Sequence, residues 1–314
     1  MKRFVFHSEA NFSCITFAST LYAQYKFEMK KEISIMLLVL ISITGTLSAQ
    51  QKPAYRIFDS KGKKVKYKKM LKELGKADVV LFGEYHDNPI SHWLELEVTK
   101  DLDKQHDLIL GAEMLERDNQ DELGKYLSNE IDQAGFDTLA RLWPNYKTDY
   151  APLIDYAHQH GVPFIATNIP RRYANLVYRK DFAALDTLSE KEKSWMAPLP
   201  IPFDSTLPTY RKILKMMGDH GSPRLVKAQA MKDATMAWSI VNNLPANHLF
   251  LHFNGAFHSD FHEGIVWYLK QYKPSLRVKT ITTVSQSNLK KLEKENLGKA
   301  DFIIAVDEDM TTTY

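Results

Sequence analysis

Four short apolar runs govern what this chain can fold into: DVVLF (78–82), LILGA (108–112), VPFIA (162–166) and HLFLHF (248–253). Each has the length of a strand, and glycine, proline or polar residues bound it. Such runs are the pattern of strands buried on both faces. Arg277–Thr282 and Asp301–Val306 read as two further strands.

The intervening segments carry helical signals. Asn88-Pro89 offers an N-cap and a first-turn proline to a helix over Ile90–Asp103. Gly161 stops a helix over Tyr150–His160, and Ser189 with Glu192 makes a capping box. Pro223–Asn242 is a long amphipathic helix. Lys68–Gly75, Arg171–Arg179, His262–Gln271 and Asn288–Glu295 are shorter helical candidates, and Asp118–Leu142 reads as several short pieces. Tyr55–Asp59 and Val65–Tyr67 read as a small hairpin. Alternating strands and helices predict an α/β fold, a mostly parallel or mixed central sheet flanked by helices. The weakly patterned 180–221, with Pro198, Pro200 and Pro202, is expected to be a helical insertion or lid.

The first residues are a different kind of segment. A charged start at Met29-Lys30-Lys31, an apolar run from Ile33 to Leu47 and the small residues Ser48-Ala49 make a secretory signal over 29–49, with cleavage expected after Ala49. The apolar run falls short of the ~20 residues of a spanning helix. Residues 1–28 read as an over-extended leader, and 50–314 as a single domain. Position 50 is Gln, so no lipid-bearing cysteine follows the cleavage point. The chain is expected to be exported, periplasmic or secreted, and not a lipoprotein.

Cys14 is the single cysteine and lies in the leader. A disulfide, a thiolate metal site and a cysteine nucleophile are therefore excluded from the mature domain. Of the 41 basic and 38 acidic residues, five and three precede residue 50, leaving 36 and 35. That near-neutral balance gives no nucleic-acid surface. A serine elbow, an H-E-x-x-H helix, a phosphate loop and a dinucleotide fingerprint are all missing.

In sheets of this type, ligands collect beyond the carboxyl ends of the strands. The residues leaving those ends are chemically rich. Gly83-Glu84-Tyr85-His86-Asp87 follows the first run and Glu113 the second. Thr167-Asn168, then Arg171-Arg172, follow the third. Asn254-Gly255-Ala256-Phe257-His258 follows the fourth, with His262 four residues on. Gly83–His86 and Gly255–His258 share a G-x-x-H form, a hint of internal duplication. Each glycine permits a tight exit that turns its histidine into the crevice. Glu84 and Asp87 also suit the positive end of the following helix. Gln229 and Asp233, one turn apart on the long helix, are placed to buttress such a site or to face solvent.

LFGEYHDNP, NIPRR, AQAMKDATMA and HFNGAFHSDFHEG together resemble the ChaN-type haem-binding uptake family. Its wider superfamily includes Tiki-like metalloproteases, TraB-like proteins and erythromycin esterases. The likeness runs from about Tyr55 to Val306. It implies haem or another small ligand as partner, together with an outer-membrane uptake receptor. Members of the uptake branch are often lipoproteins, from which this chain departs.

Two chemistries follow. For haem, histidine, tyrosine or methionine must ligate the iron. The candidates are His86, His258, His262, Tyr150 and Tyr173, with Tyr85 and Tyr146 nearby in sequence. Arg171 is placed to hold propionates, whereas Arg172 reads as an ordinary salt-bridging residue. A homodimer would give the haem its second apolar wall. For a hydrolase, Glu84, His86, Glu113 and His258 would bind a divalent metal ion that acidifies water, or would act as acid and base without metal. The same residues serve both, so the sequence leaves open whether the chain is an enzyme.

Overall fold

The computed structural model describes residues 21–22, 24–34, 36, 52–218 and 221–314. Contacts divide the chain between Lys52 and Pro53. In the first unit, residues 21–22, 24–34 and 36 are helical. Cys14 and the cleavage point expected after Ala49 lie outside the described residues. Among the described residues no helix is long and apolar enough to cross a membrane.

The second unit holds one seven-stranded sheet. Its strands are β1 (Tyr55–Asp59), β2 (Val79–Glu84), β3 (Leu108–Glu116), β4 (Phe164–Asn168), β5 (Leu249–Gly255), β6 (Val278–Gln286) and β7 (Phe302–Asp307). The order is β1-β7-β6-β2-β5-β3-β4. β1 runs antiparallel to β7, and every other pairing is parallel. This is the mixed, mostly parallel sheet that the apolar runs predict. The expected hairpin at its start shrinks to one bridge, Phe58 to Lys64. Tyr67 already begins a helix, so β1 takes its main partner from β7.

The helices are α1 (Tyr67–Leu74), α2 (Pro89–Asp103), α3 (Gln120–Leu127), α4 (Gln133–Leu139), α5 (Ala151–His160), α6 (Arg171–Lys180), α7 (Glu190–Lys193), α8 (Pro208–Met217), α9 (Pro223–Asn242) and α10 (Ile265–Tyr272). Asn88 caps α2 by accepting from the Ser91 N–H at 3.0 Å, Gly161 ends α5 at φ 68°, and Ser189 closes its capping box with Glu192. The helix expected over Asn288–Glu295 shrinks to a 3-10 turn at Lys294–Asn296. Ahead of that turn the Gln286 amide donates to the carbonyls of Asn288 and Lys291, and Asn288 Oδ1 accepts from the Lys290 N–H. These side-chain bonds replace a helical ladder.

Strand alternation sends Val80, Phe82, Leu110, Leu251 and Phe253 into a core with α2 and α5. Val79, Leu81, Ile109 and Phe250 face the opposite core, built on α9 and α10. The insertion contributes Leu185, Met196, Ala197, Ile201 and Tyr210 to this second core, so its described part is packed onto the sheet rather than held above it.

The parallel pairing brings β2, β3, β4, β5 and β6 to one carboxyl edge. β2 and β5 are neighbours, with Gly83 opposite Asn254 and Glu84 opposite Gly255. The two G-x-x-H elements, remote in sequence, therefore leave the sheet side by side.

Candidate functional site

Glu84 ends β2 on the α2 face and is 1% exposed. Its Oε1 lies 2.6 Å from His86 Nδ1 and accepts from the Tyr150 hydroxyl at 2.9 Å. Its Oε2 lies 3.1 Å from Nδ1 of His92 on α2, without a hydrogen bond. His92 Nδ1 is also 3.2 Å from Oε2 of Glu95, one turn further along α2. The other ring nitrogen of His92 is 3.1 Å from the His86 carbonyl and 3.6 Å from Asp149. Tyr150 and Asp149 come from a single π-helical turn, Tyr146–Tyr150, that leads into α5. Such turns recur where a helix must aim functional side chains.

Burial governs the protonation of this group. It pushes the Glu84 carboxyl up, but the hydrogen bond with His86 and the positive charge of the neighbouring His92 ring outweigh it and hold Glu84 down at about 2. Burial pushes His92 down, and Glu84 and Glu95 reverse this, raising it to about 11. Glu95 is raised well above the ordinary carboxylate range by burial and by the Glu84 charge. The Tyr150 hydroxyl is raised far above its ordinary value by burial and by both carboxylates.

A second cluster occupies the opposite face of the sheet. His258 follows β5 and is 5% exposed. Its Nε2 sits 3.0 Å from Glu113, inside β3 where the pairing with β4 becomes irregular, and its Nδ1 bonds Asp233 on α9. The Gln229 amide, one turn earlier on α9, lies 3.0 Å from the same ring. Asp233 in turn accepts from the Tyr210 hydroxyl of α8 at 2.8 Å. Burial lowers His258, but the two carboxylates overcome it and raise the imidazole to about 9. Glu113 is held low by the His258 charge and hydrogen bond despite its burial, and it accepts the Gly255 N–H at 2.8 Å.

The clusters meet at Gly255. A Cβ there would lie 2.7 Å from His86 Nε2 and 3.5 Å from Glu113 Oε2. A side chain at this position would therefore wedge between the two groups, and glycine lets them approach. His86 is also the most open member of the assembly, its side chain 32% exposed beside the indole of Trp143.

Four of the residues singled out from sequence, Glu84, His86, Glu113 and His258, thus lie along one sheet edge as two pairs joined through His86. Tyr150 joins the first pair. The donor atoms found within 4.8 Å of one another among the described residues belong to a different set, Glu84, His92 and Glu95. His262 is not brought to the edge. Phe261 and His262 both take φ 59°, which breaks the helical spacing from His258, and His262 turns to Asp301 at 3.3 Å. Gly264 follows at φ 52°, so α10 starts only at Ile265. Tyr173 is buried and donates to Glu192. Arg172 pairs with Asp118 and stacks on Tyr173, as an ordinary salt-bridging residue would, while Arg171 opens α6 exposed to solvent.

Sequence reasoning missed His92, Glu95, Asp149 and Asn145, whose amide donates to the His86 carbonyl at 3.0 Å and to Asp149 at 2.7 Å. For the first two a signal existed: a histidine and a glutamate three apart on the helix that follows the first G-x-x-H share one helical face.

The family model described as haem-binding uptake, Tiki superfamily, ChaN matches residues 70–269. Among solved structures, "Cofacial heme binding to ChaN of Campylobacter jejuni" superposes with a TM-score of 0.61 at 20% identity, over 81% of this chain and 98% of that one. An erythromycin esterase mutant, EreC, in its open conformation aligns at 11% identity over 83% of this chain and 98% of its own, with a TM-score of 0.47. The protein RETICULATA-RELATED 5, chloroplastic, of Arabidopsis thaliana is 28% identical over 139 residues, which is 42% of this chain and only 18% of that relative's length.

Proposed function

Because this chain belongs to the haem-binding uptake family of the Tiki superfamily that includes ChaN, we propose that it is an exported haem-binding protein of the uptake type that holds haem at the carboxyl edge of its sheet, with His86 as the iron ligand. Haem supplies an iron with open axial positions and two broad apolar faces. The residues suit it in one respect above all. His86 combines a half-exposed ring with an Nδ1 already bound to Glu84, and its Nε2, beside Gly255, makes no hydrogen bond. A carboxylate behind a histidine orients the ring and raises its basicity as a metal ligand.

The other histidines are less suited. His258 has both nitrogens engaged by carboxylates and His92 is buried. Tyr150, held far above its ordinary range, does not supply a tyrosinate. The cavity beneath Trp143 and Tyr150 measures about 10 Å³, room for no more than one water. Haem would therefore lie on the open surface, with Trp143 beside His86 and Arg171 for a propionate. A second copy of the chain would provide the facing wall, and the Campylobacter protein is described as binding haem cofacially. Export rests on the signal expected at 29–49, which would put the protein in the periplasm or outside the cell, where an outer-membrane uptake receptor would be its partner.

Titrating hemin into the full chain tests this reading. A saturable Soret band is expected, lost or shifted in His86→Ala and kept in Tyr173→Phe. An unsaturable spectrum, or one indifferent to His86, defeats it.

A second reading, hydrolysis, draws on the Glu84–His86 pair, which has the form of a base held by a carboxylate, with Glu113 across Gly255 from it. It predicts turnover of simple esters or peptides that His86→Ala abolishes. No turnover above buffer would remove it.

A further inference from the structure

Beneath His86, three side chains make an arrangement that haem binding does not use. Glu84, His92 and Glu95 are 1%, 7% and 0% exposed, and their donor atoms lie within 4.8 Å of one another. Glu84 divides its two oxygens unequally. Oε1 is saturated by His86 and Tyr150, whereas Oε2 is buried without a hydrogen-bond partner. Glu95 repeats this: Oε2 lies at 3.2 Å from His92, and Oε1 is buried and unpartnered. Buried carboxylate oxygens without partners are costly and rare, and they require an explanation.

The histidine supplies the complementary half. His92 Nε2 faces the backbone carbonyl of His86 at 3.1 Å, an acceptor only, so Nε2 must carry hydrogen. In the neutral ring Nδ1 then presents a lone pair towards two carboxylates, at 3.1 Å from Glu84 and 3.2 Å from Glu95. Three donors thus face one another at a point where either a proton on Nδ1 or a metal ion must balance the two carboxylates. A histidine fixed through its outer nitrogen by a carbonyl, with a carboxylate close behind, is the usual support of a metal-ligating imidazole. Ions of the zinc type bind such donors at about 2.0–2.2 Å, which puts neighbouring donors roughly 3–3.5 Å apart; His92 Nδ1 lies 3.1 Å from Glu84 and 3.2 Å from Glu95, with all three donors within 4.8 Å. Two carboxylates also neutralise a dication, as a buried site requires.

We propose that Glu84, His92 and Glu95 hold one divalent first-row transition ion, of the Zn²⁺ or Mn²⁺ kind, beneath the haem-bearing edge. The mixed oxygen and nitrogen donor set favours these ions over Ca²⁺. The ion would tie β2 to α2 and, through the His92 bond to the His86 carbonyl, set the position of His86. This site differs from a centre built on Glu113 and His258 and stands whether or not haem binds.

The test is metal content and binding on the full chain, read separately from any Soret change. After chelator treatment and dialysis, ZnCl₂ and MnCl₂ are titrated calorimetrically, and retained metal is counted by mass spectrometry. One equivalent per chain is expected for one of these ions. Affinity should fall at least 100-fold in Glu95→Gln and His92→Gln, and stay unchanged in His262→Gln, whose ring turns to Asp301 away from the edge. Thermal stabilisation by metal should follow the same pattern. Should either helix variant fail to fold, the stoichiometry of the wild-type chain together with the weakened binding expected of the conservative Glu95→Asp still decides. Absence of saturable binding to folded wild-type protein would mean that the three groups share protons alone. Binding that survives in Glu95→Gln but is lost in His258→Gln would place the ion elsewhere. Either result overturns the proposal.

Discussion

Nε2 of His86 packs against Gly255 so closely that a methyl group on that glycine would lie 2.7 Å away. The histidine of the first G-x-x-H thus rests on the glycine of the second. This contact makes one site of two clusters that belong to opposite faces of the sheet.

Gly255→Ala should therefore damage the site more than its size suggests. The new methyl must push His86 or Glu113, at a cost of about 1–3 kcal/mol, typical of overpacking. Haem affinity should fall with it. Gly124→Ala is the contrasting variant. Nothing lies within 4 Å of its added carbon, in the interior of α3, so a gain of about 0.5–1 kcal/mol is expected. Urea denaturation and Soret titration of the two variants check both statements.

Tyr150→Phe removes the hydroxyl that donates to Glu84 at 2.9 Å. If His86 is the ligand, the haem spectrum keeps its shape. Stability should drop by about 1–2 kcal/mol, because a buried carboxylate loses a donor. A spectrum changed to that of a different axial ligand would assign the iron to Tyr150 instead.

His258 predicts a pH dependence with a definite sign. Its folded value, about 9, stands above the ordinary histidine value of 6.5. The stability it contributes is fully present below 6.5 and is lost as pH rises through 9, by at most roughly 3–4 kcal/mol. His258→Gln should remove that share of the slope between these limits. Denaturation at a series of pH values measures it, and an unchanged slope would mean that His258 is not held charged.

The two adjacent arginines should separate. Arg172→Ala breaks the pair with Asp118 and the stacking on Tyr173, costing about 1 kcal/mol of stability and leaving haem affinity alone. Arg171→Ala should leave stability unchanged and weaken haem binding several-fold, as loss of a propionate contact does. Paired hemin and urea titrations distinguish the two.

The sheet was legible because parallel strands buried on both faces must be continuously apolar, and DVVLF, LILGA and HLFLHF have no other economical fold. The edge residues Glu84, His86, Glu113 and His258 were legible for the same reason: where an apolar run ends, its next residues are delivered to the crevice. Strand pairing was not. That β2 lies beside β5, and hence Gly255 beside His86, depends on crossovers that no local pattern records. His92 and Glu95 escaped notice because on a helix a buried polar pair looks like an exposed one until its neighbours are known. His262 misled because its spacing from His258 suits a helix, while the backbone at Phe261 and His262 turns left-handed. Asn288–Glu295 misled because Gln286 and Asn288 bond the backbone locally.

The crystal structure of the full chain with hemin tests the central claim most directly. Iron bonded to the His86 imidazole, with the porphyrin over the carboxyl edge beside Trp143, is the predicted result. Iron on a residue remote from Gly255, with His86 still joined only to Glu84, would contradict it.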